Sequence, residues 1–268
     1  MWRIAVFILL WLPASFAQAA ASGWISSQGG DVRLVAGAPD ASGTIQAILQ
    51  IRLKDGWKTY WIDPGESGIP PQVTAQDTGN TTISEVRFPA PKRFDDGVVR
   101  YFGYDEPVAF PLTLKSTGTS ASIRLSVFLG ICKDICIPVQ GELSLDLKPG
   151  EEASPLEKVA IRRAGSALPE QPSADFTLQS ADFDAATSRV RVVLTIPEIS
   201  DGSPPDLFVT GAGAVRFGAP ENVSVTGTQL TADLPVLSEN GKQAPSAGTA
   251  MLVTVAGGRS MQTTLAFK

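Results

Sequence analysis

Cys132 and Cys136 are the residues of this sequence best suited to chemistry, and they are its only cysteines. They lie in the stretch Leu129-Gly130-Ile131-Cys132-Lys133-Asp134-Ile135-Cys136-Ile137-Pro138. A disulfide needs Cα atoms roughly 4.4–6.8 Å apart. Four steps along a straight strand cover about 13 Å, so the chain must turn between the two cysteines if they bond. A hairpin loop over residues 130–136 does this, with residues 121–129 entering and the chain leaving from Ile137. Pro138 suits an edge or an irregular start, because proline cannot donate to a central ladder. So small a ring adds little by loop closure, less than the roughly 3 kcal/mol of a 15-residue loop. A chain of this size does not need such a staple, and small turn-borne bridges tend to be labile. The spacing therefore favours redox exchange over a structural bridge, with metal binding a distant third. Exported proteins oxidise their cysteines in any case, so the structural bridge stays open.

Composition removes most other chemistry. The sequence has no histidine, which excludes a Ser-His-Asp triad, a Cys-His dyad and any His-ligated metal. It has no GxGxxG opening a helix after a strand and no Walker-type loop. Two cysteines cannot make a structural zinc site alone, and beyond Met1 methionine occurs only at Met251 and Met261. No cofactor and no metal are expected. The net charge of −5, with no basic cluster, argues against a nucleic-acid partner.

The elements that must position the pair are strands. Met1-Trp2-Arg3, the apolar run Ile4 to Leu12 and the small residues Ala17 and Ala19 read as a cleaved signal peptide, residues 1–19. Export to a bacterial periplasm follows. No later run approaches the roughly 20 apolar residues of a membrane span, so stable membrane insertion is not expected. Period-two patterns occur at residues 32–35, 44–53, 108–114, 121–129 and 143–147. A second group covers 189–196, 222–226, 229–234, 250–256 and 260–267, with weaker segments at 207–209 and 214–217. Asn240-Gly241 and Gly257-Gly258 are turn signals. Between the groups, Ser154-Pro155-Leu156-Glu157 is a capping box with proline at the first helical position. Leu156, Val159, Ala160 and Ile161 would give that helix a narrow apolar face. The expected fold is all-β: two immunoglobulin-like β-sandwich domains joined by a short helical connector. The divisions are 20–150 for the cysteine-bearing sandwich, 151–175 for the connector and 176–268 for the second sandwich.

Three stretches carry a family resemblance. They are Asp55-Gly56-Trp57-Lys58-Thr59-Tyr60-Trp61-Ile62-Asp63-Pro64-Gly65-Glu66-Ser67-Gly68-Ile69-Pro70-Pro71, Arg100-Tyr101-Phe102-Gly103-Tyr104, and Cys132 to Pro138. Residues 24–147 resemble the N-terminal periplasmic domain of the thiol:disulfide interchange protein DsbD family, in its ScsB-like branch. The second β region resembles the second immunoglobulin-like domain of ScsB-type proteins by general patterning. The resemblance implies an immunoglobulin-like sandwich with a redox pair, Cys132 and Cys136, on a hairpin. It implies an aromatic cap over the pair, from Tyr101 or Phe102, with Tyr101 matching the family's cap position. It also implies that Cys136 attacks partners and Cys132 resolves. The family domain takes electrons from a membrane-embedded donor and passes them to periplasmic thioredoxin-like or peroxiredoxin-like proteins. This sequence departs in having three residues between its cysteines, where well-known members have five. The family's membrane and C-terminal thioredoxin-like domains are not within it; if these 268 residues are the whole gene product, the expected electron donor is a separate membrane-embedded protein.

Trp57, Tyr60 and Trp61 read as core-filling aromatics in preference to a partner-binding surface, Tyr101 and Phe102 read equally well as plain core, and Pro64 to Gly68 reads as a turn. Lys133 would favour a nearby thiolate and Asp134 would oppose it. Asp95-Asp96 and Asp105-Glu106 read as solvated loop charges. Two functions fit. One is a periplasmic thiol–disulfide exchange protein, of the protein-disulfide reductase type, acting as an electron relay. The alternative is a non-catalytic immunoglobulin-like binding module with a structural disulfide.

Overall fold

The computed structural model describes residues 20–65, 67–95, 97, 100–118, 120–149, 153–200, 202–211, 216–237 and 247–267. The expected signal peptide and the Asn240-Gly241 turn lie outside the described residues. In chain order the first strands are β1 (Ile25–Ser26), β2 (Gly30–Ala36), β3 (Thr44–Leu53), β4 (Lys58–Gly65), β5 (Gln72–Ala75) and β6 (Thr81–Val86). They continue with β7 (Lys92–Asp95), β8 (Arg100–Tyr104), β9 (Val108–Ser116), β10 (Ala121–Cys132) and β11 (Cys136–Leu147). Helix α1 (Pro155–Ser166) follows. The rest are β12 (Thr177–Asp184), β13 (Arg189–Thr195), β14 (Asp206–Gly211), β15 (Arg216–Phe217), β16 (Glu221–Thr226), β17 (Gln229–Leu237), β18 (Gly248–Ala256) and β19 (Arg259–Phe267).

The architecture is all-β, two immunoglobulin-like sandwiches joined by helix α1, the one helix among the described residues. In the first, a sheet ordered β1-β2-β3-β9-β6 faces one ordered β11-β10-β4-β8-β7, with β5 also paired to β10. In the second, β12-β13-β17-β15 with β16 on β17 faces β14-β18-β19. The inward side chains alternate as a half-buried strand requires. Ile45, Ala47, Leu49 and Ile51 of β3 meet Ile123, Leu125, Val127, Leu129 and Ile131 of β10 in the first core. Phe208 and Val253 of the second sandwich are buried in that same core.

Helix α1 starts as its sequence dictates. The Ser154 side chain accepts from the Glu157 amide, and the Glu157 carboxylate accepts from the Ser154 amide at 2.8 Å. Its buried face differs from the expected one. Ala160, Ile161 and Ala164 pack on Val35 and Ile48, while Leu156 and Val159 are 83% and 50% exposed. Positions 157, 160, 161 and 164 share one side at 3.6 residues per turn, and Glu157 opens that side. The Gly257-Gly258 turn joins β18 to β19 with both residues at positive φ, 55° and 72°, as a two-residue hairpin of the I′ type needs.

Candidate functional site

The pair sits at the tip of the longest hairpin. β10 and β11 run in unbroken antiparallel register from Ala121↔Leu147 to Cys132↔Cys136. The two cysteines are direct cross-strand partners, closed by a loop of Lys133, Asp134 and Ile135. They are disulfide-bonded, with Cα atoms 4.0 Å apart. The Lys133 amide donates to the Ile135 carbonyl at 3.0 Å and tightens the loop. The turn that the spacing demands is therefore present. The two sulfur-bearing residues are unequal: Cys132 is 6% exposed and Cys136 is exposed. Ile135 beside it is an apolar side chain left 66% exposed, and Pro138 is exposed as well.

Strand β4 brings the aromatic segment to the pair. Cys132 is in register with Lys58, and Ile131 with Thr59. Residues in register share a face, so Lys58 and, two residues on, Tyr60 stand on the cysteine side. The Tyr60 hydroxyl lies 3.6 Å from Cys136 Sγ. A disulfide sulfur carries no proton, so the hydroxyl is the donor. Burial, with Tyr101 alongside, pushes the Tyr60 phenol above its ordinary value, which keeps it a donor at neutral pH. Thr59, on the opposite face, donates to the Gly130 carbonyl at 2.9 Å and ties β4 to β10 inside the core.

Tyr101 belongs to the same cluster at one remove. Its ring meets Tyr60 edge-on at 5.8 Å and stacks on Phe94 at 5.1 Å. Lys58 Nζ donates to the Tyr101 hydroxyl at 2.9 Å and lies 4.8 Å from the Phe94 ring centroid, a cation held by aromatic faces. Phe102, the other residue expected to cap the pair, leaves the opposite face of β8. It packs edge-on against Phe208 at 5.3 Å. Alternation along the strand makes this unavoidable once Tyr101 faces the tyrosines.

The segment after β4 covers the cluster. A Cβ on Gly68, at φ 135°, would stand 2.6 Å from the Tyr60 ring, and one on Gly130 would stand 2.7 Å from Ile69 Cβ. Glycine at both places lets residues 67–71 lie directly on Tyr60 and on the hairpin. The segment read as a plain turn is thus part of the surroundings of the pair. Tyr60 and Lys58 are the residues that sequence reasoning missed at the site. The strand character of β4 is masked in the sequence by Pro64 and Gly65. Lys133 instead extends towards Gly56, where a Cβ would meet its Cε at 3.2 Å. Among the described residues no group of three or more His, Cys, Asp or Glu could hold a metal ion.

Residues 32–148 match the family described as "Thiol:disulfide interchange protein DsbD, N-terminal". Residues 167–267 match a family described as a domain of unknown function, DUF8393. No curated protein matches the chain. Among solved structures, the N-terminal periplasmic domain of ScsB from Proteus mirabilis aligns with 93% of this chain and 99% of its own, at TM-score 0.74 and 23% identity. At that identity the likeness establishes a shared fold, here spanning both sandwiches. A conserved domain protein from Bacillus anthracis aligns at TM-score 0.25 and 12% identity over 87% of this chain and 75% of its own, which implies nothing about fold. With the hairpin-borne pair, the aromatic strand beside it and the matched profile taken together, residues 32–148 belong to the DsbD N-terminal domain family.

Proposed function

We propose that the chain is a periplasmic thiol–disulfide exchange protein that relays reducing equivalents through Cys132 and Cys136. The observation that carries this reading is the bridged pair at an exposed hairpin tip, with Cys136 an exposed residue and Cys132 a buried one, in a domain of the DsbD N-terminal family. In the reduced protein the Cys136 thiolate attacks a partner disulfide. A mixed disulfide forms and the partner's other sulfur leaves as a thiolate that takes a proton. Cys132, deprotonated, then attacks Cys136, reforms the bridge and releases the second partner thiol. Two electrons and two protons pass to the partner in all. Thioredoxin-like or peroxiredoxin-like proteins are the proposed acceptors, and a membrane-embedded carrier is the proposed donor. Tyr60, backed by Tyr101, is proposed as the shield that keeps the bridge from adventitious thiols.

Cysteine trapping tests this reading. Cys132→Ser leaves the attacker without its resolver and should accumulate a covalent complex with a thioredoxin-like partner on a non-reducing gel. Cys136→Ser should accumulate none. Trapping by Cys136→Ser instead would reverse the two roles. Trapping by neither variant would return the pair to the structural-bridge reading.

A further inference from the structure

Strands β4, β7 and β8 each contribute an adjacent pair of residues whose side chains leave on opposite faces: Tyr60-Trp61, Arg93-Phe94 and Tyr101-Phe102. Phe94 is in register with Tyr101, and Arg93 with Phe102. On the front face, Tyr60, Phe94 and Tyr101 form the aromatic cluster at Cys136. On the back face, Trp61, Arg93 and Phe102 meet the second sandwich. Phe208 of β14, 1% exposed, stands edge-on to Trp61 at 6.1 Å and to Phe102 at 5.3 Å. Arg93 donates to the Asp206 carboxylate through Nε at 3.1 Å and Nη2 at 2.6 Å, and to the Leu207 carbonyl at 3.0 Å. Its guanidinium also lies 4.9 Å from the Phe102 ring and 5.3 Å from Phe208. A planar fork that is bidentate on a carboxylate and stacked on rings has one geometry, which makes it a specific joint rather than a loose surface pair.

The strands gripped in this way are the least constrained part of their sheet. β7 is an edge strand and four residues long. The β4–β8 ladder has an irregularity between Tyr60 and Gly65, and β10 holds β4 by register only at Thr59 and Lys58. Few ladder bonds and an edge position mark a segment prone to local opening.

We propose that the second sandwich is a positioning domain for the redox pair: β14 grips Arg93, Phe102 and Trp61 from behind, and so holds Tyr60, backed by Tyr101, at Cys136. The proposal rests on the reading of Cys132–Cys136 as an exchanging pair. It gives Asp206 and Phe208 a part in the reactivity of a sulfur that neither of them touches.

Reduction of the bridged full-length protein by dithiothreitol tests it without any biological partner. One dithiothreitol thiolate attacks Cys136 Sγ, the S–S bond breaks, and Cys132 leaves as a thiolate that takes a proton. The second dithiothreitol thiol then displaces Cys136 and closes a cyclic disulfide. Asp206→Asn and Phe208→Ala should each speed this step by about fivefold, the rate equivalent of a part-buried ion pair. Asp206→Glu should keep it near the wild-type rate. In a Tyr60→Ala background, Asp206→Asn should add nothing, because the clamp acts through that ring. Asp233→Asn removes an ion pair internal to the second sandwich, Arg191–Asp233 at 2.8 Å, and should leave the rate unchanged. Wild-type rates for folded Asp206→Asn would overturn the proposal. So would an equal acceleration by Asp233→Asn, or an undiminished effect of Asp206→Asn in the Tyr60→Ala background. Should Phe208→Ala fail to fold, Asp206→Asn decides alone. Failure of the exchange reading itself would appear separately, as no partner trapped by Cys132→Ser.

Discussion

At the scale of single residues, the Tyr60 hydroxyl stands 3.6 Å from Cys136 Sγ, and Lys58 faces Cys132 across the strands. Lys58 is the cross-strand neighbour of Cys132, and its ammonium is held at the Tyr101 hydroxyl and the Phe94 face. A nearby cation favours a thiolate over a thiol. Lys58→Met is therefore expected to raise the pKa of the Cys132 thiol, its cross-strand neighbour, in the reduced protein. The measurement is thiolate absorbance followed against pH, and Lys58→Arg should retain the wild-type curve. The cysteines were legible in the sequence because their type and spacing narrow the choices before any fold is known. Tyr101 was reached only through the family resemblance. Tyr60 was read as core, and it is buried, 5% exposed, but what it packs on is the redox pair. Burial and function coincide there, and composition alone cannot separate them.

At the scale of elements, the strands that read clearly and those that did not differ in what covers them. β3, β10 and β13 have one face on a core and show period two in their sequences. β4, β7 and β8 have aromatic or charged partners on both faces, so Lys58-Thr59-Tyr60-Trp61 and Arg100-Tyr101-Phe102 show no apolar–polar alternation. The site was therefore hardest to see where its supporting strands do the most positioning. Close approach of those strands depends on Gly103, where any Cβ would overlap the Thr59 carbonyl oxygen. That neighbour is backbone and cannot rotate away. Gly103→Ala should destabilise the protein by about 3 kcal/mol, the upper part of the usual range for overpacking. Urea unfolding would read the loss, and the altered β4–β8 spacing should speed dithiothreitol reduction in parallel.

At the scale of the whole molecule, we take residues 20–150, 151–175 and 176–268 as the cysteine-bearing sandwich, the connector and the second sandwich. Contacts divide the connector unevenly. Helix α1 lies on Val35 and Ile48 of the first sandwich, whereas Glu170 exchanges backbone hydrogen bonds with Ser260 and Gln262 of the second. A fragment of residues 20–168 should accordingly melt higher than one of residues 20–150, since it keeps Ala160, Ile161 and Ala164 in place. Both fragments should fold and keep a reducible bridge. Both should also show red-shifted tryptophan emission relative to the full chain, because Trp61 loses the cover of Phe208; unshifted emission would mean that the interface contributes no burial there. The joint at Arg93 and Phe208 is a direct contact between the two sandwiches. A flexible linker lets one domain search space on behalf of the other, with a reach set by its length. In the arrangement proposed above, the second sandwich backs the strands that carry Tyr60 and Tyr101. On that proposal, whatever anchors the second sandwich also sets where Cys136 points, and the searching that brings two sulfurs into line falls to the incoming partner.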